Sequence, residues 1–340
     1  MNNKNIQQAD LPLYSKNRVT NAGKRIAKGN DSNEDWLVME NWRNSHSYII
    51  NTFRTTLGRN IPASKKRIII LAQRLKRLST IVDKLTTGRA KDLATMNDLA
   101  GCRLIFGSIK DLNLYRKKLH KASFKHRRIN GDRYNYINEP KSTGYRGIHD
   151  VYSYDVNSQG GKIYNGLLIE IQYRTNVQHA WATAVEISDL INKTRVKFDK
   201  GAEPKRERFF VLASEYLARK YEDSKGFMPD ITDDDLIKEL NKLENQIHIV
   251  RSLKAVHKER AKVPSSKNIV LHFKQEKLEA KGFNSSRKAI DYRNLVETQY
   301  PTDDVVYVRG ENSNQIANAF RNYFRNSEEF VRLIEIALDA

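Results

Sequence analysis

Along the chain the apolar positions change period several times, and each change predicts an element. Residues 1–33 are rich in Asn, Lys and Gly and read as a polar, loosely ordered arm. From Glu34 to about Leu57, Trp36, Leu37, Met39, Trp42, Tyr48, Ile49 and Phe53 recur at helical spacing. Pro62 then opens a second predicted helix. In it Ile68, Leu71, Leu75, Leu78, Val82 and Leu85 alternate three and four apart, and Arg67, Arg74, Arg77 and Lys84 decorate the neighbouring stripe. Cys102–Phe106 reads as a strand, Ile109–His120 as a helix and Ser123–Ile129 as a strand. A turn-rich loop at 138–144 leads to a strand at Ile148–Tyr154, and Ser158–Gly161 reads as a hairpin turn.

In Gly166–Thr175, GLLIEIQYRT, the period becomes two. Glu170, Gln172 and Arg174 then share one face of a strand, and Ile169, Ile171 and Tyr173 the other. Helices are predicted from Val177 to about Asn192 and from about Arg206 to Asp223. Asp233 to about Lys262 reads as one long helix with Leu236, Leu240, Leu243, Ile247, Val250 and Leu253 along one side, two to three heptads that suit ordinary packing or a short oligomer seam. A strand at Ile269–Phe273, a helix near Arg287–Glu297, a strand at Val305–Val308 and two final helices complete the pattern. The order predicts an α+β fold, a mixed sheet with flanking helices, followed by a long helix and a small C-terminal α+β domain. The expected boundaries are 1–33, 34–225 and 231–340.

Composition narrows the class. No apolar run approaches the roughly 20 residues of a membrane helix. The N-terminus lacks the apolar core of a secretion signal, and the single Cys102 forms no internal disulfide, so a cytoplasmic protein is expected. Charge changes the picture more. Of a formal net charge of +20, residues 231–340 hold 18 Lys and Arg against 17 Asp and Glu, and the remaining chain 42 against 23. Residues 61–130 alone hold 18 against 4, which implies a polyanionic partner, nucleotide phosphates or a nucleic-acid backbone.

Candidate chemistry follows partly by elimination. One Cys rules out metal–thiolate clusters, and no HExxH, GxxxxGK[ST], GxGxxG or GxSxG pattern occurs. Phosphate binding would then rest on Lys and Arg side chains. Asp98, just ahead of Cys102–Phe106, and Glu170 form a candidate Mg²⁺ pair for phosphoryl chemistry. Taken alone, Asp98 reads as a turn or helix-cap residue and Glu170 as an exposed strand acid.

Four ordered blocks, QRLKRLSTIVDKL, MNDLAGCRLIF, DRYNYINEPKSTGYRGIH and IEIQYRTNVQHAWATAVE, resemble the synthetase domain of the RelA/SpoT family over about residues 35–200. The resemblance implies a nucleotidyltransferase-like mixed sheet that moves pyrophosphate from ATP to the 3′-hydroxyl of GDP or GTP. It implies ATP contacts for Arg74, Lys76, Ser79, Lys84 and Arg103, and metal and catalytic roles for Asp98 and Glu170. Acceptor contacts follow for Lys141, Tyr145, His149, Gln172, Arg174 and His179, with Tyr145 stacking on the base. The polar face of GLLIEIQYRT would then line the reaction cleft. No His-Asp dipeptide precedes residue 149, so the hydrolase domain of the family's long members is not expected, and the chain resembles a small, synthetase-only member with an added C-terminal domain. Toxic relatives of the same type place pyrophosphate on the 3′ end of tRNA, which leaves tRNA open as an alternative acceptor. An inactive nucleotide- or RNA-binding module is a third reading, and homo-oligomerisation stays open.

Overall fold

The computed structural model describes residues 11–65, 69–122, 125–195, 203–258, 268–273, 278–300, 304–309 and 327–338, with Pro264 and Ser266. The chain forms two compact units, one of Met1–Phe106, Lys110–Tyr134 and His149–Tyr173, the other of Gly107–Ile109, Asn135–Ile148 and Arg174–Ala340. These do not follow the expected boundaries, because the chain passes between the units several times.

In the first unit the expected loose arm contains a helix, α1 (Lys16–Lys28), capped by Ser15 and closed by Gly29. Val19, Ala22, Gly23 and Ile26 bury one face of it, at a spacing that the polar composition of 1–33 obscured. Helix α2 (Asn33–Asn60) starts in a Ser32/Asp35 capping box and buries Val38, Met39, Trp42, Ile49, Phe53 and Leu57. Arg25 donates two hydrogen bonds to Asp35, at 2.9 and 2.6 Å, and ties α1 to the start of α2.

The helix expected from Pro62 to Leu85 is instead two elements. After a short 3₁₀ turn at Ala63–Lys65, β1 (Ile70–Leu75) is a strand, and only Leu78–Thr86 is helical, as α3. Arg67 and Ile68 lie outside the described residues. The β1 stretch satisfies both periods, and its pairing with β2 (Ala100–Phe106) decides between them: the two run antiparallel from Ile70 opposite Ile105 to Leu75 opposite Ala100. Extended backbone at Arg77 then ends the strand and starts α3. This is tertiary pairing overriding an ambiguous local pattern.

Helix α4 (Ile109–Lys121) follows, then a minimal β3 (Arg127–Arg128), β4 (Ile148–Ser153), a short α5 (Gln159–Lys162) where a hairpin turn was expected, and β5 (Leu168–Thr175). Of the strand expected at Ser123–Ile129, Ser123 and Phe124 lie outside the described residues. The five strands form one sheet in the order β1-β2-β5-β4-β3, with helices packed on it as the α+β expectation required. On its apolar side Ile169, Ile171 and Tyr173 are fully buried. There Tyr115 of α4 lies 5.4 Å from the Phe106 ring and 6.4 Å from the Tyr173 ring. Asp150, also fully buried, accepts from Arg116 at 3.0 and 2.7 Å and from the Nε2 of His120 at 2.7 Å.

The second unit holds α6 (Asn176–Arg195), α7 (Glu203–Glu222), α8 (Asp233–Ile247), α9 (Ile249–Lys258) and a last helix, α11 (327–338). Trp181, Phe209, Phe210, Leu217, Leu236, Leu240, Leu253, Phe330 and Ile334 share a single core. The long helix expected from Asp233 is broken at His248, whose φ of 50° ends α8 in a left-handed turn. A three-stranded antiparallel sheet, β7-β6-β8, is built from β6 (Asn268–Phe273), β7 (Leu278–Phe283) and β8 (Asp304–Arg309), and α10 (Ser286–Gln299) buries Ala289 and Val296 with Val270 and Val305. Strand β7, Leu-Glu-Ala-Lys-Gly-Phe, carries too little apolar alternation to have been predicted. Among the described residues no helix is long and apolar enough to cross a membrane.

The Asp150 cluster makes a testable demand. Arg116→Met leaves a carboxylate buried without its bidentate partner and is expected to cost about 3–5 kcal/mol in urea unfolding, whereas Lys117→Met, on the exposed side of the same helix, should change stability by less than about 0.5 kcal/mol.

Candidate active site

The polar side of the first unit's sheet carries a continuous row of side chains across four strands. In the β1–β2 register Ala72 lies opposite Arg103 and Gly101 opposite Arg74, so Arg74 and Arg103 are diagonal neighbours on one face. Arg103 Nε donates to Gln172 Oε1 at 3.0 Å, and Gln172 Nε2 donates to Glu170 Oε2 at 2.6 Å. On β4 the Nδ1 of His149 lies 2.9 Å from Glu170 Oε1. Strand alternation thus does what the period-two reading of GLLIEIQYRT required: Ile169, Ile171 and Tyr173 enter the core, and Glu170 and Gln172 join the row.

A second cluster sits where β1 ends. Lys76 N donates to Leu99 O at 2.8 Å, extending the ladder by one residue and keeping Lys76 on the same face as Arg74. Its side chain is almost completely buried, and its ammonium lies 2.7 Å from Asp98 Oδ2. Lys84, from the last turn of α3, reaches the same oxygen at 2.6 Å. Arg43, buried on α2, donates from Nε to Lys76 O at 2.6 Å and fixes the backbone behind the ammonium.

The electrostatics bind these groups into one site. Burial pushes the Lys76 ammonium down to about 8; Asp98 opposes this, and Arg74 and Lys84 add to it. Burial alone would raise Asp98, but the charges of Lys76 and Lys84 and their hydrogen bonds hold it below the usual carboxylate range. Burial likewise works against ionised Glu170, yet His149, Gln172 and, last, Lys76 keep its carboxyl at about 2. Strand register puts Lys76 with Arg74, and the Arg103–Gln172–Glu170 hydrogen bonds put Glu170 on that face too, so Asp98, held by Lys76, and Glu170 lie on the same side of the sheet.

Asp98 Oδ1 is buried and accepts no hydrogen bond among the described residues. A buried, ionised oxygen left bare in this way fits a ligand still to be supplied. Mg²⁺ favours such hard oxygens and takes most of its remaining shell from phosphates and water, so Asp98 and Glu170 suit it. Among the described residues no group of three or more His, Cys, Asp or Glu side chains gathers to hold a metal on its own.

The second unit holds the other predicted residues. Tyr145 lies in a loop where the Lys141 ammonium is 4.3 Å from the Tyr136 ring and 5.4 Å from the Tyr145 ring. The Arg174 guanidinium sits 5.1 Å from the Tyr145 centroid, and its Nε donates to the Tyr145 hydroxyl at 3.2 Å. Arg174 is buried and its Nη1 has no acceptor among the described residues. Gly144 makes the loop possible: its φ is +83°, and a Cβ there would stand 3.0 Å from Val211 Cα and 3.2 Å from Phe210 O. Ser214 donates to Gly144 O at 2.5 Å, and Arg146 pairs with Glu222, so α7 holds the loop from behind. His179 is half-buried on α6.

Of the predicted residues, Lys76, Lys84 and Asp98 meet, Arg103, Gln172, Glu170 and His149 form the row beside Arg74, and Lys141, Tyr145 and Arg174 form the second-unit cluster. Ser79 is exposed on α3 and joins none of them. Gln172, expected to contact an acceptor, bridges Arg103 and Glu170. Lys76 is buried and follows a strand, not a helix. Arg43, Ser214 and Glu222 were missed. Arg43 left a signal, a cation inside the Met39–Trp42–His46–Ile49 stripe; the other two belong to α7, beyond any motif. Gly144→Ala should lower stability by about 2 kcal/mol or more, the left-handed strain plus backbone overlap, and urea titration reads it; Gly160→Ala, where a Cβ meets nothing within 4 Å, is the contrast.

Residues 73–194 match the family described as the region found in RelA / SpoT proteins. The chain is 30% identical over 113 residues to the GTP pyrophosphokinase YjbM of Bacillus subtilis (strain 168), covering 32% of this chain and 51% of that protein, so it spans about half the length of this curated relative. Small alarmone synthetase 1 of Bacillus subtilis, solved with its product pppGpp, is 24% identical with a TM-score of 0.42, over 56% of this chain and 93% of that one. A GTP pyrophosphokinase family protein of Streptococcus pneumoniae is 25% identical with a TM-score of 0.41, over 57% and 93%. The matched segment, residues 73–194, takes in the second half of β1, all of β2 through β5 and every predicted site residue.

Proposed function

We propose that the protein transfers pyrophosphate from ATP to the 3′-hydroxyl of GDP or GTP. The observation that carries this reading is the buried Lys76 ammonium 2.7 Å from Asp98, on the same sheet face as the Arg103–Gln172–Glu170–His149 row, all inside the segment that matches RelA/SpoT proteins. The name of the Bacillus subtilis relative, GTP pyrophosphokinase, agrees with it.

In the proposed step the 3′-oxygen attacks the β-phosphorus of ATP, the bond from that phosphorus to the α,β-bridging oxygen breaks, and AMP leaves. Such transfer asks little covalent chemistry of the protein and much positioning and positive charge. Arg74, Lys76, Lys84 and Arg103 supply the charge around the triphosphate, with Ser79 at the edge of α3. Asp98 and Glu170 would hold Mg²⁺, which when bound neutralises charge on the transferring group. Glu170, anionic down to about pH 2, orients the hydroxyl, and the His149 imidazole bonded to it takes the proton. Tyr145 offers its ring to the acceptor base, with Lys141, Arg174 and His179 toward phosphate and ribose.

The basic surplus of residues 1–230 favours one rival, a tRNA 3′ end as acceptor. Incubation with γ-labelled ATP, Mg²⁺ and GDP, GTP or deacylated tRNA separates the readings. Label should appear on the guanosine nucleotide; label on tRNA establishes the rival, and label nowhere leaves only a binding module. Asp98→Ala and Glu170→Ala should each lower transfer at least a thousandfold with an unchanged circular dichroism spectrum, and full activity in either removes the assignment.

Lys76 gives a pH dependence. Its free-enzyme pKa lies near 8, so as pH rises through 8 to 9 the ammonium is lost, Asp98 loses a counter-ion and the triphosphate a cation. kcat/KM for ATP should therefore fall across that range. In Lys76→Arg, which stays charged, this limb should vanish even though the absolute rate drops; a limb that persists unchanged assigns it to another group.

A further inference from the structure

The positive surplus of the first unit is not all accounted for by the candidate site. Helix α4 places Lys110, Lys117, Lys118 and Lys121 in an arc of about 100° that runs about 16 Å along its axis, and all four are exposed. Leu114, at the centre of the arc, is 58% exposed. Among the described residues Lys110, Lys117 and Lys121 have no carboxylate partner, and Lys118 reaches only Asn60 O at 3.4 Å. Arg127 on β3 is exposed as well.

The location of this stripe separates it from the nucleotide row. The opposite face of α4 buries Leu112, Tyr115, Arg116 and Leu119. Tyr115 packs on Phe106 and Tyr173, which lie on the side of the sheet away from Glu170 and Gln172. The lysines therefore point outward from the apolar side, with the whole sheet between them and the Asp98–Glu170 cluster.

We propose that this face of α4 docks double-stranded RNA through its phosphates. Ammonium groups are point charges without the fork geometry that reads base edges, so the contact would follow backbone and shape, not sequence. The narrow major groove of an A-form duplex brings two phosphate rows within reach of a single helix face, whereas B-form DNA spreads them across a groove about 12 Å wide. A bilayer fits poorly: the apolar face of α4 is already spent on the core, and Leu114 alone offers too little apolar area for interfacial binding.

The test needs neither ATP nor acceptor, so it stands or falls apart from the transfer reading. Anisotropy of an end-labelled 20-base-pair RNA duplex is followed against the full-length protein from 50 to 300 mM salt, for the wild type and for Lys110→Glu/Lys117→Glu/Lys121→Glu. The triple variant should bind at least tenfold more weakly at 100 mM salt, and the slope of log K against log salt should shrink by about 2–3, roughly 0.9 per lost phosphate contact. Lys238→Glu/Lys242→Glu, on α8, should change neither. If the charge reversal perturbs the circular dichroism spectrum, the corresponding Gln triple is read in its place. An unchanged slope in the triple variant overturns the proposal, as does equal, equally lysine-dependent binding of a DNA duplex of the same sequence, or lysine-dependent binding confined to vesicles of anionic lipid.

Discussion

A carboxylate shared by two ammonium groups at the end of an edge strand is the interaction on which the rest of the site depends. Taking Asp98 and Lys76 out of water costs several kcal/mol per ion, and that cost is offset only where partners stand in fixed positions around them. The β1–β2 ladder delivers Lys76, α3 delivers Lys84, and Arg43 locks the Lys76 carbonyl from behind. Such a pair adds little to stability compared with apolar packing. What it adds is a fixed, dry set of charges at the sheet's edge, with one carboxylate oxygen left open. Preorganised charge of this kind is what phosphoryl chemistry uses, since it need not reorganise as negative charge shifts along the transferring group.

The sheet converts sequence alternation into a division of labour. Because neighbouring side chains on a strand face opposite ways, His149 and Asp150, adjacent in sequence, enter unrelated networks. His149 bonds Glu170 in the polar row, while Asp150 is locked by Arg116 and His120 under α4. The dipeptide that resembles a metal-binding His-Asp pair is therefore split by the pleat, and neither residue is available to hold a metal with the other. The same pleat explains why Tyr173 is wholly buried one residue from Gln172.

Much of this was legible in the sequence, and the failures have physical causes. GLLIEIQYRT showed both faces of β5 directly, because a strand buried on one side and polar on the other leaves a period-two record. The Pro62–Leu85 stretch misled because Leu71, Leu75, Leu78 and Val82 satisfy a helix while Ile70 to Leu75 also satisfies a strand; only the presence of β2 as a partner chooses. Asp98 was found by motif, but its companionship with Lys76 was not, since helix α3 and the irregular stretch 87–97 lie between them in the sequence. The residues that hold the Tyr145 loop, Ser214 and Glu222, lie on α7 and act through individual side-chain hydrogen bonds, Ser214 to Gly144 O and Glu222 from Arg146, Thr175 and Gln178, which leave no periodic trace. Likewise α1 was hidden: four small or medium apolar residues among Asn, Lys and Arg suffice to dock a helix whose average composition reads as an arm.

The C-terminal third also changes character once the packing is known. Its order of elements suggested a separate small domain, yet Phe330 lies 5.9 Å from Phe210, whose backbone crowds Gly144, and Tyr221 of α7 donates to Leu333 O. Helices α8, α9 and α11 thus complete the core that supports the loop bearing Tyr145, and the β7-β6-β8 module is an insertion between two helices of that core. The surfaces of this third that pack against α7 are apolar, and residues 231–340 as a whole are close to neutral. Positive charge is concentrated instead in the first unit, on both sides of its sheet, and those two sides present different geometries. Buried, convergent cations around Asp98 suit a compact triphosphate, whereas the exposed lysines of α4, set along a line and without acidic partners, suit an extended polyanion. A single surplus in the composition therefore resolves into two surfaces of different geometry.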